Sequence, residues 1–351
     1  MESKPPTLVL VIAVAGLAVL PASVFYASAA PAPEKIITPI SAKNAADIQS
    51  ITELNKRAHR IRRGPGKNEL TLLDWGNGVE VVDDVNFRTV RTLVKDKLPI
   101  DFAVSPKGKF QAWTERGTKT YTVFQSTTSK SFDIEFSGDP GNAAFSPDGN
   151  LIAIGDTLWD RTVPGASYSE MKLFDTAGKL VRTLEKSGPG GLTPVFSPDG
   201  KTLAVGNRNH ETLLFEVATG KLLHTLDKKM TQEIAFSPDG ETLAAGYVDG
   251  TVGLWDVATG KLLQSDATGG KEVYSVDWSP KGDVLVTAGR EGKIVLWETQ
   301  RLTKLKELDA PIWVISVRFT ADGTRLLSSS SSDLGGKADR KVVVWGVPDG
   351  K

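Results

Sequence analysis

Cysteine is absent from the 351 residues, and histidine occurs only three times. Without cysteine there are no disulfides, no thiolate-held zinc, no iron–sulfur clusters and no thiol nucleophile. Charge of one sign is not in excess either, because 42 basic residues balance 42 acidic ones. Attraction to phosphate needs a clustered basic excess, so the balance argues against nucleic acid as a partner. Catalytic signatures are missing too. Gly165-Ala166-Ser167-Tyr168-Ser169 lacks the final glycine of a nucleophile elbow, and there is no H-E-x-x-H string and no phosphate loop. His59, His210 and His224 have no metal-ligand spacing. The expectation is no catalytic residue, no cofactor and no metal. What the chain does have is 34 glycines and 19 prolines, which point to many turns.

No charge interrupts residues 5–33, and residues 8–20 are continuously apolar or small. Ala27-Ser28-Ala29 then offers the small side chains that a signal peptidase accepts. This pattern predicts a signal peptide over 1–29 and a proline-bearing linker over 30–45, with Pro31, Pro33 and Pro39. It implies export, periplasmic or extracellular. The alternative is an uncleaved anchor that ties residues 5–30 to a membrane.

Self-similarity is the strongest signal. Residues 145–149, 196–200 and 236–240 are three identical Phe-Ser-Pro-Asp-Gly strings. Weaker copies surround Ser105, Ser279 and Thr320, and a worn one is Gly64-Pro65-Gly66-Lys67. With the Ser or Thr as marker, positions 105, 146, 197, 237, 279 and 320 are separated by 41, 51, 40, 42 and 41 residues. One repetitive domain over 46–351 follows, not two domains. Within the fifth unit, 233–236, 242–246, 251–255 and 262–263 read as four short strands. The turns between them are Ser237-Pro238-Asp239-Gly240, Asp249-Gly250 and Ala258-Thr259-Gly260-Lys261. Seven such units predict an all-β fold, a seven-bladed β-propeller, because one blade cannot bury both faces alone.

These units resemble WD repeats of the kind common in bacteria, in which F-S-P-D-G is followed by a string such as Leu254-Trp255-Asp256-Val257-Ala258-Thr259-Gly260-Lys261. The resemblance covers about residues 48–351, implies the propeller fold and says little about chemistry. Two departures stand out. The Gly-His pair of many eukaryotic members is absent, and Trp255-Asp256 is the single literal Trp-Asp pair. Aromatic packing and turn geometry must define the blades instead.

The chain stops where its last outer strand should begin, since Val347-Pro348-Asp349-Gly350-Lys351 aligns with Val217-Ala218-Thr219-Gly220-Lys221. Residues 48–54 are therefore expected to pair with 341–345 and close the seventh blade from the N-terminal side.

Two turns are longer than the rest, 156–170 in the third unit and 328–340 in the seventh, and both fall on one rim. Loops on a rigid scaffold concentrate binding residues, with Trp, Tyr and Arg prominent. The partner-binding candidates are Trp159, Arg161 and Tyr168 in the first loop, Lys337 and Arg340 in the second, and Tyr274 near the channel mouth with His59. Two places before each marker stand Arg62, Ala103, Ala144, Val195, Ala235, Asp277 and Arg318, expected to face the channel. The charged three belong to neighbouring blades, so Asp277 is expected to pair with Arg318 or Arg62. The basic run at 56–63 reads as a charged strand of a degenerate blade rather than a nucleic-acid patch. The resulting expectation is a monomeric, non-enzymatic scaffold that binds an unidentified protein or peptide over the loop-bearing rim. The alternative is a propeller enzyme or small-ligand binder that uses the channel mouth.

Overall fold

Each S-P-D-G string closes the hairpin between the first two strands of a blade. In the third unit Ser146 Oγ donates to Asp148 at 2.6 Å and accepts from the Leu151 amide at 2.9 Å, while Asp148 accepts from the Asn150 amide at 3.0 Å. Gly149 follows at φ 74°, a conformation that glycine adopts without a Cβ penalty. The same contacts recur around Ser197, Ser237 and Thr320. Serine hydroxyls and then backbone amides hold Asp148, Asp199 and Asp239 below the usual carboxylate range. Neighbouring turns also touch. A methyl at Gly200 would stand 3.4 Å from Pro147, at Gly240 3.3 Å from Pro198, and at Gly282 3.4 Å from Pro238. Proline of one turn thus packs beside glycine of the next.

The computed structural model describes residues 38–74, 78–95, 97–159, 167–184, 192–207, 211–310, 312–331 and 340–348. They form seven four-stranded antiparallel sheets. The fifth blade, Thr231–Phe236, Thr242–Tyr247, Thr251–Asp256 and Leu262–Ala267, follows the expected pattern with slightly longer strands. Its core lies between blades rather than within one. Ala153, Met171 and Leu173 of the third blade, for example, pack with Phe196, Leu203 and Phe215 of the fourth. Where Gly-His is missing, third-strand tryptophans reach second-strand hydroxyls. Trp297 Nε1 donates to Thr287 at 2.9 Å, Trp345 to Ser328 at 2.8 Å and Trp255 to Tyr247 at 2.9 Å.

The seventh blade closes as its missing strand required. Gln49–Leu54 lies antiparallel to Lys341–Gly346, with Ser50 opposite Trp345 and Leu54 opposite Val342. This removes an open edge that could template aggregation. The segment just before it is anchored. Ile40, Ala45 and Ile48 are buried against the cores of blades six and seven, and the Ile40 amide donates to Gly323 O at 2.8 Å. So the last residues of the stretch read as a linker are part of the packed body. Their isolated apolar positions among prolines carry no periodicity that sequence reading detects. The leader over 1–29 lies outside the described residues.

The long turn of the third blade is largely strand. Leu151–Trp159 and Ser167–Asp175 each run nine residues, against six in Thr202–Asn207 of the next blade, and pair through Trp159 opposite Ser167. At its base Asp156 is fully buried, 2.7 Å from Lys172 Nζ, and accepts from the Gly138 amide at 3.0 Å. The insertion is therefore a hairpin built outward from a fixed ion pair. In the seventh blade Arg325–Ser331 and Lys341–Gly346 flank the second insertion, of which 332–339 lie outside the described residues.

Candidate functional site

All seven residues two places before the markers, Arg62, Ala103, Ala144, Val195, Ala235, Asp277 and Arg318, line one central cavity of about 470 Å³. Strand alternation explains this, because the innermost strand of every blade presents the same face to the axis. Above it, at the rim that carries the insertions, His59, Glu272 and Tyr274 line a mouth of about 170 Å³ together with Arg60 and Arg318.

The charged groups pair differently from the expectation. Arg62 Nη2 lies 2.8 Å from Asp101, Arg318 pairs with Glu233, and Asp277 accepts the Phe319 amide at 2.8 Å. Asp277 is thus held by backbone rather than by a bidentate arginine. Burial raises its pKa, against the opposing pull of Arg63, Arg318 and the Phe319 amide. Burial works against the Arg318 charge, but Glu233 and Asp277 outweigh it and its pKa rises.

Asp101, which sequence reading did not single out, is the hub. Only 2% exposed, it accepts from Arg60 at 3.2 Å, Arg62 at 2.8 Å, Tyr121 at 2.8 Å and the Ala143 amide at 2.8 Å. These partners come from three successive blades, so one carboxylate ties them together. Burial, then the Asp101 charge, pushes the Tyr121 hydroxyl well above its ordinary pKa and keeps it protonated.

A pattern would have found it. Asp101 is four places before its marker, and the same place elsewhere holds Arg60, Asn142, Thr193, Glu233, Ser275 and Ser316. These residues bridge blades. Asn142 donates to Thr193 at 3.0 Å, Ser275 accepts from the Val317 amide at 3.1 Å, and Ser316 from the Ile61 amide at 3.1 Å. Register shifts precede Asp101, Glu233, Ser275 and Ser316 in their strands. Such bulges re-aim a side chain, here from the channel towards the neighbouring blade.

Much of the basic run is paired or packed, although Arg57 and Arg63 are exposed. Arg60–Arg63 is the innermost strand of blade one, Lys56 Nζ sits 2.8 Å from Glu80, and His59 is 7% exposed. Burial, then Arg60 and Arg340, lowers the His59 pKa to about 3, so the imidazole is neutral at ordinary pH. His224, on an outer strand, lies with Nε2 3.0 Å from Ala258 O, and His210 lies outside the described residues.

Of the rim candidates, Tyr168 is half-buried in the hairpin opposite Leu158, and Trp159 ends the paired region. Arg340 is 7% exposed and lies 2.5 Å from Asp74, joining blade seven to blade one rather than standing free on the rim. Arg161 and Lys337 lie outside the described residues.

The family model described as eukaryotic translation initiation factor eIF2A matches residues 183–291. THO complex subunit 3 of Arabidopsis thaliana is 24% identical over 233 residues, which cover 64% of this chain and 73% of that protein. With the seven four-stranded blades, these matches support a WD-repeat propeller, a typical protein-interaction scaffold. They overturn the expectation of export to a periplasmic or extracellular compartment, and of a membrane-anchored alternative, because neither a translation initiation factor nor a THO complex subunit is an exported protein. An uncharged apolar run ending in small residues is a matter of composition, and that composition alone does not assign a compartment.

Proposed function

We propose that this WD-repeat propeller is a non-enzymatic scaffold that binds a protein or peptide over the rim bearing the insertions at 156–170 and 328–340. The observation that carries this reading is the third-blade hairpin. Its nine-residue strands extend beyond the six of a regular blade and are anchored by buried Asp156. A paired hairpin presents side chains with less ordering cost than a free loop, which favours binding. The similarity to a protein named as a subunit of a complex supports a protein partner. The channel carboxylates favour a scaffold over an enzyme. Asp101 and Glu233 are engaged by arginines and Asp277 by a backbone amide, so they do not converge on a common point where a substrate could react.

Replacing residues 158–168 with a two-residue turn, while keeping Asp156 and Lys172, tests the rim. Affinity capture with intact and shortened protein should lose the rim-bound partner in the variant with the melting temperature retained. Equal recovery by both proteins would contradict binding over this rim.

A further inference from the structure

The channel has two unlike walls. From blades two to five it presents Ala103, Ala144, Val195 and Ala235, with Asn142, Thr193 and Glu233 one strand-alternation away; from blades six, seven and one it presents Asp277, Arg318, Arg62 and Arg63. Its volume of about 470 Å³ is in the range of small-ligand cavities, which are mostly apolar with a few converging polar groups.

The arginines are not equivalent. Arg60 and Arg62 share Asp101, and Arg318 holds Glu233, Ser275 and two backbone carbonyls. Arg63 lines the same cavity, is exposed to it and makes no ion pair among the described residues. Four guanidinium groups stand near three carboxylates, Asp101, Glu233 and Asp277, so the cluster carries one positive charge in excess, and Arg63, whose charge acts on Asp277 without a direct ion pair, is the guanidinium left without a carboxylate contact among the described residues.

We propose that the channel binds a small organic monoanion with an apolar body, an aromatic or medium-chain monocarboxylate, whose carboxylate pairs with Arg63 while its body lies on the alanine and valine wall. A guanidinium in a confined, partly desolvated site forms a strong charge-assisted pair with a carboxylate. Asp277 and Glu233, which both line the cavity, disfavour a dianion, which separates this ligand from phosphate and phosphorylated compounds. The site is separate from the rim hairpin, and its test does not depend on a protein partner.

Titration calorimetry of the whole chain with sodium benzoate and sodium hexanoate measures it, with benzyl alcohol and inorganic phosphate as comparisons. Both carboxylates should bind the unaltered protein, and the two comparison compounds should not. Arg63→Gln should weaken benzoate binding at least tenfold, about 1.4 kcal/mol. Ala235→Leu fills the apolar wall without touching an arginine and should weaken it to a similar degree. No carboxylate binding up to the solubility of benzoate would overturn the proposal. So would equal benzoate affinity in correctly folded Arg63→Gln or Ala235→Leu protein, or equal binding of benzyl alcohol.

Discussion

Blades three to five carry identical F-S-P-D-G strings and present Ala144, Val195 and Ala235 to the channel, whereas blades six, seven and one present Asp277, Arg318 and Arg62, the last of these held by Asp101 of blade two. In the first arc the blades join through proline against glycine and through apolar cores. In the second, apolar cores still join the blades and Pro280 still stands beside Gly323, but where the strings are worn buried charge and hydroxyls are added to them. The junction between blades seven and one shows the exchange most clearly. Ala321 stands where the repeat has proline, and its amide donates to the buried Asp84 of blade one at 2.9 Å. Proline has no amide hydrogen to give. Beside it, Arg325 stacks on Phe87 with the guanidinium 5.5 Å from the ring centre. The departures from the repeat concentrate where the two ends of the chain meet, and there they supply specific partners.

The largest test of this contrast removes the closing strand. Deleting residues 46–55 exposes Lys341–Gly346 as an open edge and discards five cross-strand residue pairs, which in an antiparallel ladder carry about one hydrogen bond each. At about 1 kcal/mol each, and a few degrees per kcal/mol, the melting temperature should fall by about 10 °C or more. An unchanged melt would mean that the closure contributes little.

Next in size is Ala321→Pro, which restores the repeat's proline but strips Asp84 of its donor. Leaving a buried carboxylate without that partner should cost about 1–3 kcal/mol by denaturant unfolding. Stabilisation by the consensus proline would show that the junction obeys the same rules as the others.

His59 sharpens the comparison through pH. Its folded pKa of about 3 lies below the ordinary 6.5, so the unfolded chain binds the proton and the folded one does not. The resulting stability is fully present above about pH 6.5 and is lost as pH falls towards 3. The slope is at most about 1.4 kcal/mol per pH unit. His59→Gln should unfold with a correspondingly flatter pH dependence between about 5 and 6.5 than the unaltered protein. Parallel curves would place no such load on the imidazole. The smallest effect is expected in the intact arc, where Pro198→Ala loses one turn contact and should cost under about 1 kcal/mol by the same unfolding measurement.

Much of the fold was legible because a period of about forty residues repeats its turn string, and the count of strands left one outer place to be filled by residues near the N-terminal side. The channel ring at two places before each marker was legible for the same reason. Pairing was not, because Asp101, Glu233 and Ser275 sit at bulges that turn them towards neighbouring blades, and one register shift changes which side chains meet. The third-blade insertion read as a loop because length alone does not distinguish a free turn from a hairpin anchored by Asp156 and Lys172.

The central claim is that buried polar partners hold the ring where the repeat is worn and contribute little where it is intact. Asp101→Ala and Thr193→Ala alter the same position of the unit, the first removing the partner of blade one's arginines in the worn arc and the second lying within the intact arc. Paired unfolding measurements should show a loss of about 3–5 kcal/mol for Asp101→Ala, which leaves Arg60, Arg62 and Tyr121 without their shared acceptor, and under about 1 kcal/mol for Thr193→Ala. Equal losses at the two positions would contradict the claim.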